Sequence, residues 1–237
     1  MVVNIINSGS NGNCAVIDDT LIIDAGWNCT PNGKYVLLTH HHHDHVKHLD
    51  KMGGLPVYCT QTTADALREK FPYVAFNVCV ENDNFYVGDY SVHLSPLKHD
   101  ASCIAFDILN TKTEKRIYWA SDFSEIINVE HFIIFLRSKA FDAIYIECNN
   151  TLSPADFADV YFYDEKPPRD EFHRRRSFHN HCNADYLISL FQRAGYSTQN
   201  RCETPVTLLH KSSYYYLQNV ERIAELAKIC NVINPLY

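Results

Sequence analysis

The sequence predicts an α/β sandwich, two packed mixed sheets with helices outside, in one domain over residues 1–237. Three observations carry this. The first half is a run of short β-type segments broken by turn residues, and the second half alternates strands with amphipathic helices. No repeat, low-complexity linker or shift in composition marks a boundary, and 237 residues with 46% hydrophobic content can bury one full core.

The expected strands of the first half are "VVNIINS", "CAVID", "TLIIDAG", "KYVLLTH", "LPVYC", "NFYVGDYSVHLSPL", "CIAFDIL" and "RIYWASD". A helix is expected in "QTTADALREKF", 61–71, with Thr62 or Thr63 as its cap. A strand follows in "FDAIYIEC", 141–148. Pro167, Pro168 and alternating charges then make 163–177 an exposed loop or insertion. "ADYLISLFQRAG" reads as a helix stopped by Gly195, and "PVTLLH" as a strand. The last helix is expected from about Ser213 to Cys230, with Leu217, Val220, Ile223, Leu226 and Ile229 as its core-facing stripe.

Composition excludes several classes. The strongest apolar run, "FIIFL" at 132–136, is cut off by Arg137, far short of the roughly 18 to 20 residues that span a bilayer. The start "MVVNIINSGS" lacks a basic segment followed by a long apolar one, so a cytoplasmic protein without a membrane partner is expected. Nine scattered cysteines contain no C-x-x-C pair, which points to reduced thiols rather than a disulfide framework or a sulfur-ligated zinc. A net charge of −7 argues against an extended track for nucleic acid, though a local basic cleft fits within it.

The chemistry concentrates in "LLTHHHHDHVKH", 37–48, at the end of a predicted strand. One register gives H-x-H-x-D-H, from His40, His42, Asp44 and His45, and leaves His41 and His43 as solvent-facing bystanders. A tight loop after a strand can turn several imidazoles and a carboxylate toward one point. Neutral nitrogen with anionic oxygen suits zinc, manganese or iron. Four residues cannot complete two metal shells, so further ligands are expected at later strand ends, and His99, Asp122 and His210 stand there.

With these residues the sequence resembles the metallo-β-lactamase superfamily, from "SGSNGN" to "LLHKSS". The resemblance implies an αββα sandwich and two divalent ions, zinc or manganese. It assigns His40, His42 and His99 to one ion, Asp44, His45 and His210 to the other, and Asp122 to both, with Asp44 also counted as catalytic. A water shared by the ions would be acidified and attack an electrophilic centre.

The true β-lactamases carry a cysteine on one metal and are exported, whereas "WASDFS" offers Asp122. Glyoxalase-type thioesterases share the ligand set. "NSGSNGNCAVID" is similar to the "SGSxGN" opening of YycJ-type exonucleases and their small phosphodiesterase relatives, which places Ser10 and Asn11 at the substrate. "YIECNN" followed by "FHNHCNADYL" is similar to a second pair of elements in that group, although Asn180 replaces the usual glycine and Asn183 the usual serine. By position His181 is the general acid, as in ribonuclease Z relatives, and Glu147 orients it. Arg174, Arg175 and Arg176, with Arg169 nearby, are the candidates to grip phosphate oxygens.

Size and charge favour a small phosphodiester over a polymer. Viral anti-Pycsar enzymes resemble such compact forms; they hydrolyse cyclic nucleotides, often as dimers in which a loop of one subunit completes the other's site. A homodimer with 163–177 as that loop is therefore expected. The alternatives are a DNA or RNA nuclease of the YycJ or ribonuclease Z type, and a metal-binding interaction protein without turnover.

Overall fold

The computed structural model describes residues 1–29, 32–151, 179–212 and 216–235. The chain forms two compact units, Met1–Ala120 and Ser121–Tyr237.

Unit 1 begins with a mixed sheet of β1 (Val3–Asn7), β2 (Cys14–Ile17), β3 (Leu21–Ile23), β4 (Tyr35–Leu37), β5 (Val57–Thr60) and β6 (Phe76–Cys79), in that order. The first three run antiparallel, and β3 to β6 run parallel. β2 and β3 are buried along their whole length, which explains why "CAVI" and "LII" show no polar alternation: both faces are covered. Between the strands lie a short helix, α1 (His43–Val46), and α2 (Gln61–Leu67). Ala64 and Leu67 of α2 join Val16, Ile22, Val36, Leu38 and Val57 in one core cluster.

The same unit continues as an antiparallel meander: β7 (Asn84–Val87), β8 (Tyr90–Lys98), β9 (Cys103–Asn110) and β10 (Arg116–Ala120). The single expected strand "NFYVGDYSVHLSPL" is thus a hairpin, turned at Gly88 with φ +55° and Asp89. The Tyr58 ring of β5 stacks on Phe85 of β7 at 5.4 Å, and the Tyr90 hydroxyl donates to Asp18 Oδ2 at 3.0 Å.

Unit 2 contains β11 (Glu125–Ile126), α3 (Val129–Arg137), β12 (Ala143–Glu147), α4 (Ala184–Arg193), β13 (Cys202–Leu209), α5 (Val220–Ile229) and β14 (Cys230–Val232). β12, β13 and β14 are parallel. Asn183 caps α4 by accepting from the Tyr186 N–H at 2.8 Å, and Gly195 with φ +93° ends it. The "FIIFL" run lies in α3 and buries Phe132, Ile133 and Leu136. No helix among the described residues is long and apolar enough to cross a membrane.

Three local expectations are corrected. Thr60, not Thr62 or Thr63, caps α2: its backbone is extended, and its Oγ1 accepts from the Thr63 N–H at 3.3 Å. α2 ends at Leu67, although Phe71 still packs on the core. The last helix starts at Val220, because 216–219 form a turn. Leu217 and Val220 are accordingly 47% exposed, while Ile223, Leu226 and Ile229 are buried. Its predicted end is right to one residue, but Cys230 already belongs to β14. All nine cysteines are free thiols.

Candidate metal centre

In unit 1, β4 ends at Leu37 and the chain reaches α1 at His43, so the histidine motif spans a change from extended to helical backbone. Asp44 and His45 therefore lie on a helical turn rather than in the expected loop. His40 is buried just before it, and His99 leaves the end of β8. The three rings of His40, His42 and His99 come together, with centroids 4.6, 5.1 and 5.0 Å apart. One nitrogen of each lies within 4.8 Å of the others.

The partners of these rings decide which nitrogens face inward. Thr39 Oγ1 at 3.1 Å and Cys103 Sγ at 3.7 Å take His40 Nδ1, which leaves Nε2 on the opposite side. His42 Nδ1 and His99 Nε2 face each other at 3.2 Å. Burial, followed by the neighbouring His99, holds His42 below the ordinary histidine range and so in the neutral form that binds metal. His43 is exposed as expected; His41 is half-buried, its ring 5.5 Å from that of His42.

His45 is fixed by residues the motif does not contain. Asp24, 1% exposed, places Oδ2 2.7 Å from His45 Nδ1, and its carboxylate also accepts from the Thr39 N–H and hydroxyl. This carboxylate–imidazole pair is the usual way to orient a ligating histidine. Across the ring, Asn13 Nδ2 lies 2.9 Å from His45 Nε2 and 3.3 Å from Asp44 Oδ2, while Asn13 Oδ1 accepts from Gly9 N–H at 2.8 Å. Of the "SGSNGN" turn it is therefore Asn13 that reaches the motif. Ser10 and Asn11 are exposed, the Asn11 carbonyl accepting from Lys47.

Backbone contacts grip the same turn. Asn13 N–H donates to the Asp44 carbonyl at 2.7 Å, Ala25 N–H to the His45 carbonyl at 2.7 Å, and Gly26 N–H to the Asn13 carbonyl at 2.8 Å. A Cβ on Gly26 would stand 1.6 Å from the Asp44 carbonyl oxygen and 2.7 Å from the Asn13 nitrogen, so only glycine fits.

In unit 2, Asp122, Glu147, His181 and His210 offer ligand atoms within 4.8 Å of one another. Glu147 is fully buried at the end of β12. Its Oε1 takes the Nδ1 of His181 at 2.6 Å and of His210 at 3.0 Å, and its Oε2 accepts from the Phe123 and Cys182 N–H groups at 2.7 and 3.4 Å. The two rings stack at 4.9 Å, each with Nε2 on the side away from Glu147, and His210 Nε2 lies 3.6 Å from Asp122 Oδ1. Asn149 Nδ2 donates to the His210 carbonyl at 2.8 Å. Burial favours a neutral Glu147, but the two histidines outweigh it and hold the carboxyl low. Burial likewise opposes a charged His181, and Glu147 outweighs that and raises it.

Asp24, Asp122 and His210 all adopt left-handed backbone, with φ of 59°, 55° and 48°. Such conformations cost about 1–3 kcal/mol each and are kept where side chains must be aimed. Imidazole nitrogen and carboxylate oxygen, gathered and largely buried in both units, form donor sets that fit divalent transition ions. Arg169, Arg174, Arg175, Arg176 and the loop 163–177 lie outside the described residues. Asp24 and Asn13 were missed. The only hints in the sequence are an acid directly after a buried strand and the last asparagine of a glycine-rich turn.

A family model described as a beta-lactamase superfamily domain matches residues 24–195. No curated protein matches significantly. Among solved structures, the metallo-beta-lactamase fold protein YhfI from Bacillus subtilis is 18% identical with a TM-score of 0.62, covering 99% of this chain and 97% of its own. A diphosphatase of the PhnP family is 14% identical with a TM-score of 0.62, covering 97% and 92%. Unliganded yeast PDE1 is 11% identical with a TM-score of 0.68, covering 97% and 95%. Identities this low establish the fold alone: two packed mixed sheets with helices.

Proposed function

The chain belongs to the beta-lactamase superfamily, and from that premise we propose that it is a divalent-metal-dependent phosphodiester hydrolase whose preferred substrate is a small cyclic nucleotide. The observation that carries the reading is the pairing of His181 with His210 on one Glu147 oxygen. It sets a proton-bearing imidazole beside one that the family resemblance assigns to a metal, and cleavage of a diester with a poor, unactivated leaving group is helped by an acid that protonates the departing oxygen. The names of the PhnP-family diphosphatase and yeast PDE1 support phosphate chemistry by fold likeness.

Bound divalent ions would supply an acidified water and positive charge against the developing phosphorane. His40, His42 and His99 would hold one ion, and the family resemblance assigns ligand roles to Asp44, His45, Asp122 and His210 as well. Asp24 fixes the His45 tautomer by taking its Nδ1 proton in a hydrogen bond, so that Nε2 is the donor atom. Glu147 does the same for His210, and it keeps the Nε2 edge of His181 on the side away from itself, where a proton can pass to the departing alkoxide.

A panel of 3′,5′-cyclic mononucleotides, cyclic dinucleotides, DNA, RNA and an activated nitrophenyl diester, each with Zn²⁺ or Mn²⁺, tests this. The expected result is turnover of cyclic nucleotides. His181→Ala should lose most activity on them and little on the nitrophenyl diester, whose leaving group needs no proton. Degradation of nucleic acid alone would make the protein a nuclease, and bound metal without turnover would make it a binding module.

A further inference from the structure

Two cysteines stand where the turns that grip the histidine motif meet. Cys14 opens β2 directly after Asn13, and Cys29 follows the Gly26 turn. The Cys29 Sγ lies 3.8 Å from the Cys14 Sγ; Cys14 belongs to the core cluster of unit 1, and Cys29 packs against it. The two segments have no slack between them. The Gly26 N–H donates to the Asn13 carbonyl at 2.8 Å, and a Cβ on Gly12 would stand 2.3 Å from the Gly26 carbonyl oxygen.

The pair is asymmetric. Cys14 is 2% exposed, and burial, followed by the neighbouring Cys29, pushes its thiol up and holds it protonated. Cys29 is half-buried, so it is the sulfur of the pair that a solute reaches. Cys59, Cys103, Cys148, Cys182, Cys202 and Cys230 are all buried. Cys79 is half-buried, but burial pushes its thiol to about 11, which keeps it in the unreactive form.

We propose that Cys14 and Cys29 are an oxidation-sensitive dithiol, and that joining them weakens divalent-ion binding at Asp44 and His45. The oxidant is a hydroperoxide, ROOH. The Cys29 sulfur takes one oxygen from it, giving the sulfenic acid and ROH. The Cys14 sulfur then attacks the Cys29 sulfur: the S–S bond forms, the S–O bond breaks, and the hydroxyl leaves as water with the Cys14 proton. Two electrons have passed from the thiols to the peroxide. Closing the sulfurs from 3.8 Å to a bond of about 2.05 Å draws Cys14 toward Cys29, and Asn13 with it. Asn13 Nδ2 stands 2.9 Å from His45 Nε2 and 3.3 Å from Asp44 Oδ2, and the Asn13 N–H holds the Asp44 carbonyl at 2.7 Å. The displacement therefore reaches the donor atoms. The coupling to metal rests on the metal-dependent reading above, whereas the bond between the sulfurs does not.

The test treats the native chain, Cys14→Ala and Cys29→Ser with hydrogen peroxide, removes the excess, and follows each protein by peptide mass and by calorimetric titration with Mn²⁺ and with Zn²⁺. Lys34 is the first Lys or Arg of the chain, so trypsin releases both cysteines in one peptide. In the native chain that peptide should lose two hydrogens and resist alkylation, and in neither variant should it do so. Oxidised native protein should bind the ions about 10–100-fold more weakly than reduced protein and recover with dithiothreitol, while peroxide leaves the affinity of both variants unchanged. A native peptide that stays fully alkylatable, a disulfide that forms without a change in affinity, or an equal loss of affinity in the variants would each overturn the proposal and leave the metal-dependent reading standing. A reduced native protein that binds neither ion would overturn that reading, and the proposed coupling with it.

Discussion

The histidines of unit 1 and those of unit 2 are held in opposite ways. In unit 1 the support is spread over several groups: Thr39 and Cys103 meet His40, Asp24 holds His45 with Thr39 Oγ1 3.2 Å from the same ring nitrogen, and His42 and His99 face each other. In unit 2 one buried carboxylate takes both His181 and His210. Loss of one group from distributed support leaves other groups in place, whereas loss of the single shared carboxylate fails both rings together.

The test with the largest effect treats both regions alike. Dialysis against a chelator should bring hydrolysis to background, with recovery on adding Zn²⁺ or Mn²⁺; activity that survives chelation would remove the metal role from both. Next, Glu147→Ala should separate them. It leaves two buried imidazoles without their acceptor and should cost about 3–5 kcal/mol in urea unfolding, as removal of one member of a buried ion pair does. The corresponding change in unit 1, Asp24→Asn, should act first on His45, leave Cys103 on His40 and the His42–His99 contact in place, and reduce metal affinity about 10–100-fold. Equal destabilisation by the two would erase the contrast.

His181→Ala should lower turnover of an unactivated diester by about 10²–10⁴-fold. The pH profile sharpens this. Glu147 raises His181 despite burial, so the acid form persists above the ordinary histidine range, and activity should fall on the alkaline side of it. The variant should lack that limb. The stability carried by the raised histidine is present at lower pH and lost as pH rises through its folded value. That carried by the lowered Glu147 is present at higher pH and lost as pH falls through its own. The smallest effect is a control remote from both groups: Thr60→Ala, which removes the α2 cap, should cost about 1 kcal/mol and leave metal binding unchanged.

The contrast also governs how much could be read from the sequence. His40, His42 and His99 were legible as candidate ligands, because H-x-H spacing at a strand end and a later strand-end histidine are local patterns, while their grouping on one ion came through the family resemblance. Glu147 and His181 were legible only through a family resemblance, since 34 residues separate them. Asp24 and Asn13 gave only hints too weak to act on, because a carboxylate after a strand and an asparagine in a turn look alike whether or not they reach a histidine. The buried strands β2 to β5 declared themselves through continuous apolar runs. β6 and β14 did not: "FNVC" is exposed at its two central residues, and "CNV" follows α5 without a turn residue.

Gly26 carries a last consequence. It bears no donor atom, yet its lack of a side chain is the space in which the Asp44 carbonyl sits. In a saturation screen of single substitutions, position 26 should be as intolerant as the histidines themselves, and a map of lost activity would mark it as chemical machinery. Calorimetric metal titration of Gly26→Ala separates the two phenotypes. A displaced α1 should weaken binding while every donor atom is still present, so that what the screen detects there is an empty volume the fold has to keep empty.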